Sequence, residues 1–574
     1  MSFRPTIYAS FDSLRDGFDE PSGLWRLDQS GHTSPVATLA RVHSGVLTAA
    51  RLMRAAQLGG LDLLPVDCIL SALRRLQCTD GSHLHGCFKW YAEEPAPADT
   101  NAAFFTGLNL ILLDNGYADA CPASARESLA TMLKDLFVWF EREAATGLAY
   151  YPNKFLGDLV CAWLLHERLG TDAGGRLAAA MDRAADYWLL MHWGWGEHLS
   201  DVYSAVMLNE LSALLLLAHD LPPALKRKYR RLFDELLGIE DAFGGGLRVP
   251  AIRTYAFQGR PEIRPFRDGI GSWVEKPERA EKAGAVEHFN FGHFFHEQGW
   301  HDLAGPRGGV RERMEIDCFG GAKAKAWVTA DARLGTLSRW PIMPDTDHST
   351  WGLSWQTMPV VFAAGEDGWG FLRWHAREGG VDRFHPARDK KSAYLRNALT
   401  DVVAPPITGR TDSMQEDGHA CVLRRMNALS RSWEALSDQW VLTGSVFSIV
   451  REETGAEVSR LVFEVGGVPV TVLYFSLGSG VRPCLRREGG ETVWEATWSA
   501  EQLAMRERTA GMWMLAWGRE IPCPLPPIRA GGCETIRPSN DGPWVVCWPT
   551  AAGSVSVTVD PLEDKPLNRS ERGC

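Results

Sequence analysis

The sequence predicts an α+β chain in two parts, an N-terminal (α/α) toroid over about residues 1–304 and a C-terminal antiparallel β-sandwich over about 311–562. Three observations predict it. Apolar residues recur with helical spacing up to about residue 240, and from about Arg311 the period changes to two. A Gly-rich joint, AGPRGGV at 304–310, separates the two regimes. The helices come in pairs joined by loops containing Gly and Trp, which favours a toroid over a simple bundle.

Taken in order, Pro35–Gln57 puts Val36, Leu39, Ala40, Val46, Leu47 and Ala50 on one face, and His43 falls there as a satisfied core histidine. Helices follow at Pro65–Leu76, Ala98–Asp114, Ser124–Glu143, Leu156–Leu169, Ala178–Met191, Tyr203–His219 and Pro222–Leu237. Asp99, Ser200 and Pro222–Pro223 mark starts, and Gly170 marks a stop. Beyond the joint, RMEIDCF, AKAWVTA, PVVFAA, WVLTGSVFSIV, RLVFEVGGVPVTVLYFSL, VWEATWSA, WVVCW and GSVSVTVD alternate as half-buried strands do. The last residues, LEDKPLNRSERGC, read as a frayed end.

Composition narrows the function classes. The 574 residues carry 60 Lys plus Arg against 71 Asp plus Glu, a net charge of −11, which argues against a generally basic nucleic-acid binder. The densest apolar run, Leu211–Ala218, is far too short to span a bilayer, and no membrane partner is expected. The first twenty residues hold no apolar core for a secretory leader, so the expectation is a cytoplasmic protein. Twelve cysteines without a CxxC pair read as reduced core residues. Twenty-three tryptophans suit either a core or a cleft in which sugar rings lie on aromatic faces. Exposed edges of a large sandwich make a homo-oligomer an open expectation.

Four stretches concentrate polar and aromatic residues where a toroid would open. They are Asp80–Asn101 with Trp90, Tyr150–Lys154 with Tyr151 and Asn153, His192–Tyr203 with Trp193, Trp195, Glu197 and His198, and Gly244–Arg267. The last places Arg248, Arg253, Arg260, Arg264 and Arg267 together with only Glu262 opposing them. Guanidinium groups bind carboxylates or sulfates in bidentate fashion, so this reads as an anion site, against the plainer reading of a solvated loop. Arg253-x-Tyr255 sharpens it, because a tyrosine ordinarily titrates near about 10 and a neighbouring cation favours its phenolate.

That unit suits β-elimination of a uronide. The C5 proton is removed only when the adjacent carboxylate is neutralised, and the departing O4 must then be protonated; the chemistry is metal-independent and needs no cofactor. Asn153 would donate to the carboxylate, His198 would serve as second base or acid, and Glu197 would hold His198 or Arg253 in place. The plainer alternative is that Glu197 and Ser200 cap the following helix, with Trp193 and Trp195 packed beneath. His288, His293, His296 and His301 fit no sharp metal-ligand spacing and read as structural. No GxGxxG, P-loop or GxSxG motif occurs in a strand–turn–helix setting.

On DTNAAFF at 99–105, YPNKF at 151–155, Glu197–Tyr203, RTY at 253–255 and KAWVTADARLGTLSR at 325–339, the chain resembles polysaccharide lyases that join an (α/α) toroid to a β-sandwich, the heparinase II/III-like and alginate or glucuronan lyase assemblage. The resemblance implies an anionic oligo- or polysaccharide substrate, with Asn153, His198, Arg253 and Tyr255 around the uronate and Glu197 in support. Trp90, Tyr151, Trp193, Trp195, Tyr203, Arg248 and Arg260 would bind the chain. Secreted members carry a leader that this sequence does not show, which implies either imported oligosaccharides as substrates or a related intracellular branch.

Two alternatives stand beside the lyase. An inverting glycoside hydrolase would use two of Asp99, Glu197 and Asp201 held roughly 6.5–9.5 Å apart, but a neutral substrate leaves the arginines unexplained. A non-catalytic carbohydrate-binding protein would bind sugar without turnover. A terpenoid cyclase lacks its Asp-rich run here.

Overall fold

The computed structural model describes residues 14–28, 36, 39, 41–254, 265–275, 289–343, 357–365, 367–378, 380–383, 409–427, 433–504, 508–518, 535–536, 544–550, 553–559 and 567–569. Described residues of Met1–Gly246 and Ile263–Val310 pack as one unit, and those of Leu247–Glu262, Arg311–Asp389 and Val402–Cys574 as another. The chain is an α+β protein whose helical part precedes its antiparallel sheets.

The first unit opens with a small antiparallel sheet, β1 (Phe18–Asp19), β2 (Leu24–Leu27) and β3 (Val42–Ser44). Ser44 stays extended and its Oγ accepts the Leu47 N–H at 3.1 Å, so α1 runs Gly45–Gln57. The helix expected from Pro35 therefore starts later, because Val42 and His43 pair with Leu27 and Arg26 of β2. His43 correspondingly leaves the core: it is half-buried, with Nδ1 2.6 Å from Glu93 Oε1 and Nε2 3.3 Å from Asp19 Oδ2.

Seven long helices follow: α2 (Val66–Leu76), α3 (Ala102–Tyr117), α4 (Ala123–Ala144), α5 (Pro152–Leu169), α6 (Gly174–Met191), α7 (Tyr203–Leu217) and α8 (Pro223–Ala242). With α1 they form four α/α hairpins in two rows. The inner row packs in the order α1, α3, α5, α7 and the outer row in the order α2, α4, α6, α8. The sequence dictates which helix goes where. The outer helix α2 buries a stripe made of Val66, Ile69, Leu70, Ala72, Leu73 and Leu76, whereas α3 is buried without break from Ala102 to Leu113 and α7 from Tyr203 to Leu215. Gly170, in the left-handed conformation, ends α5, and Pro222–Pro223 opens α8, both as expected.

Three shorter helices, α9 (Phe266–Glu275), α10 (Gly292–Glu297) and α11 (Trp300–Ala304), follow among the described residues, with α10 and α11 against α7. The end of α8 anchors them. Glu240 accepts the Phe266 and Arg267 backbone N–H groups at 3.0 and 2.8 Å, and Asp241 accepts Arg267 Nε and Nη2 at 2.9 and 3.1 Å. No helix among the described residues is long and apolar enough to cross a membrane.

The second unit is built from antiparallel sheets. One has the order β17 (Cys484–Glu488), β18 (Glu491–Ser499), β13 (Trp433–Thr443), β9 (Gly368–Glu378), β8 (Val360–Ala364), β6 (Ala332–Leu337), β5 (Lys323–Val328), β4 (Arg313–Asp317), with β10 (Val381–Arg383) also on β9. The other has the order β14 (Phe447–Thr454), β15 (Val458–Val465), β16 (Val468–Phe475), β19 (Arg508–Trp517), β12 (His419–Asn427), β11 (Gly409–Glu416), β7 (Arg339–Trp340). Alternate residues of both, among them Leu334, Phe362, Leu372, Trp440 and Trp494 from the first and Val422, Leu461, Val472, Trp513 and Leu515 from the second, form one shared core. A third sheet, β20 (Thr535–Ile536), β21 (Trp544–Thr550), β22 (Gly553–Val559) and β23 (Asn568–Arg569), adds Val557 and Val559 to the opposite face of the second, against Cys421, Leu473 and Met512.

A buried ion pair bridges strands of the two sheets. Arg424 Nε and Nη2 donate to Asp438 Oδ1 at 3.1 and 3.0 Å, Trp513 Nε1 donates to Oδ2 at 2.7 Å, and the Trp374 ring lies 4.5 Å from the guanidinium. Burial pushes the Asp438 carboxyl up and Arg424 pulls it back. Asp438→Leu alone leaves a buried guanidinium uncompensated and is expected to cost about 3–5 kcal/mol in urea unfolding. The double variant Arg424→Met/Asp438→Leu is expected to recover most of that loss; a double variant as unstable as the single one would contradict the assignment.

Candidate active site

Each inner helix is followed by an outer helix that returns the chain, so the N-terminal ends of α3, α5 and α7 lie at the same end of the unit. The loops that enter them are tied together. Asn101 Nδ2, at the start of α3, donates to Tyr151 OH at 3.0 Å. The Tyr151 ring stacks on Trp195 at 4.4 Å and 29°, and the Trp195 N–H donates to Tyr150 O at 3.3 Å. Gly194, with φ of +58°, allows that approach: a Cβ there would lie 2.9 Å from Tyr150 O.

The centre of this cluster is a double hydrogen bond. Glu197 Oε2 accepts the Asn153 backbone N–H at 3.0 Å, and Oε1 accepts Asn153 Nδ2 at 2.6 Å. Both residues are fully buried, so these charge-assisted bonds form out of water. Glu197 thereby caps the first turn of α5, which precedes it, rather than the helix that follows. Ser200 takes the latter role: its Oγ accepts the Val202 and Tyr203 N–H groups at 3.3 and 3.1 Å at the start of α7.

One turn further along α5 lies a second polar group that the sequence reading did not single out. Lys154 Nζ donates to Glu143 Oε2 and Asp158 Oδ2, each at 2.6 Å. Full burial pushes the Asp158 carboxyl up to about 7, against the pull of Lys154 and with a push from Glu143. On α7, burial raises Glu210 well above the ordinary carboxyl range, with Asp158 and Glu197 adding to it. The available signals were Lys154-x3-Asp158 at helical spacing and a glutamate abutting the apolar run Leu211–Ala218.

The expected site residues divide four ways. Asn153, Glu197, His198, Tyr151, Trp195 and Tyr203 come together at the entry ends of α5 and α7, with His198 buried on the 3₁₀ turn Glu197–Leu199. Trp90 and Trp193 also belong to this unit but are packed in its core. Trp90 lies against Phe105 at 5.4 Å, and Trp193 stacks on Trp188 at 5.7 Å and 17°, so neither ring offers a face for a sugar as the structure stands. Arg248 and Arg253 are described within the second unit, both buried. There Ala251 pairs with Met358, Arg333 Nη1 donates to Leu247 O at 2.6 Å, and the Arg253 N–H donates to Thr357 Oγ1 at 3.3 Å. Gly335 makes room for this segment, since a Cβ would lie 2.2 Å from the Val249 carbonyl carbon.

Tyr255, Arg260, Arg264 and His288 lie outside the described residues. Arg267, the last of the arginine group, is committed to Asp241 and to the carbonyls of Ala304 and Gly305. His293 Nδ1 is 3.5 Å from Glu297, and His296 and His301 meet edge to face at 5.1 Å. Among the described residues no group of three His, Cys, Asp or Glu side chains is placed to hold a metal ion.

Two outcomes follow from this geometry. Glu197→Gln turns an amide donor toward the donors of Asn153 and is expected to lower stability by about 1.5–3 kcal/mol, read as a lowered urea midpoint. Asp158 has a folded pKa of about 7 against an ordinary 3.8, so its contribution to stability is complete below about 4 and is lost as the pH rises through 7. Asp158→Asn is expected to flatten the stability–pH curve in that window; an unchanged slope would contradict it.

No protein-family model matches the chain, and no curated protein matches it. Among solved structures it is similar to a chondroitin lyase that is a baculovirus envelope protein, over 80% of this chain and 81% of that one, at 9% identity and a TM-score of 0.22. At that score the likeness carries no argument about fold or activity, and both rest on the geometry above.

Proposed function

We propose that the protein is a polysaccharide lyase that cleaves uronic-acid-containing chains by β-elimination. The observation that carries this reading is the Asn153–Glu197 double hydrogen bond at the entry ends of the inner helices. Glu197 fixes the amide by one of its two side-chain N–H groups, which leaves the second for a uronate carboxylate. The positive ends of α5 and α7 favour an anion in the same place. Arg253 supplies the second donor to the carboxylate, and Tyr255 is the base.

The step balances as follows. The Tyr255 phenolate takes the C5 proton while Asn153 and Arg253 hold the carboxylate as charge builds on it. The C5–H electrons form the C4=C5 double bond, the C4–O4 bond breaks, and O4 takes a proton from Tyr255 or His198. The products are a fragment that carries a 4,5-unsaturated uronide at its new non-reducing end and a leaving fragment whose O4, still bonded to its anomeric carbon, is the hydroxyl of a new reducing end.

The test is a panel of polyuronates and glycosaminoglycans followed by the ultraviolet absorbance of the unsaturated product. Tyr255→Phe is expected to lower the rate by about 10²–10⁴-fold. Asn153→Ala is expected to lower kcat by about 10²–10³-fold with a smaller change in KM, since the carboxylate donor acts chiefly as charge develops. New reducing ends without that absorbance would mean hydrolysis, and sugar binding without turnover would mean a binding protein; either result sinks the lyase reading.

A further inference from the structure

Glu210 has no part in the reaction above, yet α7 and α5 are shaped around it. It is fully buried, and neither carboxyl oxygen has a hydrogen-bond partner among the described residues. The space it occupies is the space a side chain at position 157 would fill. A Cβ on Gly157 would lie 2.7 Å from Glu210 Oε1 and 2.6 Å from Phe104 Cδ2. Gly157 is four residues after Asn153 on α5, so the Glu210 carboxyl sits one helical turn inward of the clamp.

The charged groups that act on Glu210 are Asp158 of α5 and Glu197 of the 3₁₀ turn, both acidic, and Cys161 of α5 feels it in return. None acts on it from α8, α10 or α11 among the described residues. A carboxyl so placed keeps its proton, because nothing repays the loss of water around a charge.

We propose that Glu210 is a positioning residue for the Asn153–Glu197 clamp, filling the space beneath it without setting a second negative charge beside Glu197. Ionised, Glu210 repels the Glu197 carboxylate and loosens its hold on both Asn153 N–H groups. The clamp is therefore intact while Glu210 is protonated and is lost as the pH rises through its titration. The catalytic consequence rests on the lyase reading; the structural one does not.

The experiment follows hydrogen exchange at the Asn153 backbone N–H, which Glu197 accepts, in the wild type, Glu210→Gln and Gly157→Ala. Protection is expressed against an unstructured peptide at the same pH, which divides out base catalysis. In the wild type it is expected to fall about tenfold or more as the pH is raised through the titration of Glu210, which burial holds well above the ordinary carboxyl range, and in Glu210→Gln to stay level, because the amide is isosteric and does not titrate. Gly157→Ala, which presses on the carboxyl, is expected to lose protection throughout. Superimposable wild-type and Gln profiles at every pH would overturn the proposal. So would a folded Gly157→Ala with unchanged protection at Asn153, which decides the matter if Glu210→Gln does not fold. The exchange needs no turnover: the expected pattern without any unsaturated product would sink the lyase reading and leave the role of Glu210 standing. With turnover, Glu210→Gln is expected to remove an alkaline limb from the kcat profile.

Discussion

A helix enclosed on all sides has almost nowhere to put a polar group, and the helical unit is organised by that constraint. α3 and α7 are buried along most of their length, so their polarity is confined to the loops that enter them and to a few internal positions. The loops carry Asn101, Tyr151, Asn153, Glu197 and Ser200; Asn101 binds Tyr151 and Asn153 binds Glu197 across hairpins, while Ser200 caps the helix that follows it. Whatever chemistry the unit performs is thereby collected at one end. The internal exceptions are of two kinds. Asn109, Asn209 and Ser212 return their side chains to the carbonyl one turn back and cost little. Glu210 has no such outlet, and a missing side chain at Gly157 accommodates it.

The sheets meet the same constraint differently. Their shared core is lined by tryptophan and aliphatic side chains, and the buried pair of Arg424 with Asp438 is satisfied by Thr411, Trp374 and Trp513 as well as by each partner. Many of the tryptophans whose abundance suggested sugar platforms are spent here. Trp440, Trp494, Trp498 and Trp513 are all core residues. An excess of tryptophan thus reports packing between large sheets as readily as it reports a cleft.

The helices were legible because their apolar spacing is set locally, by which face a hairpin must bury; α2, α4 and α7 fall close to the expected limits. The start of α1 was not, since Val36 and Leu39 continue its period by chance while pairing with β2 fixes Val42 and His43 as strand. The candidate site was legible residue by residue but not as a set of bonds. Asn153 and Glu197 are 44 residues apart, a distance fixed by the length of one intervening hairpin and its loops, and nothing local reveals that one holds the other. Glu197 reads equally well as a cap for the next helix; only the fold assigns that cap to Ser200. The segment Leu247–Thr254 carries no strand period, so its pairing with a residue far along the chain had no local signature.

That pairing imposes an order in time. Leu247 and Arg253 are bonded to Arg333 and Thr357, which follow them by 86 and 104 residues. In a chain made from its N-terminus, the helical hairpins through α8 can pack as they emerge, but the segment after them must remain unpaired until most of the first strands of the large sheet have been synthesised. A break in the chain near residue 310 would separate that segment from Arg333, Thr357 and Met358, so a single cut leaves a piece of the second unit on the wrong fragment.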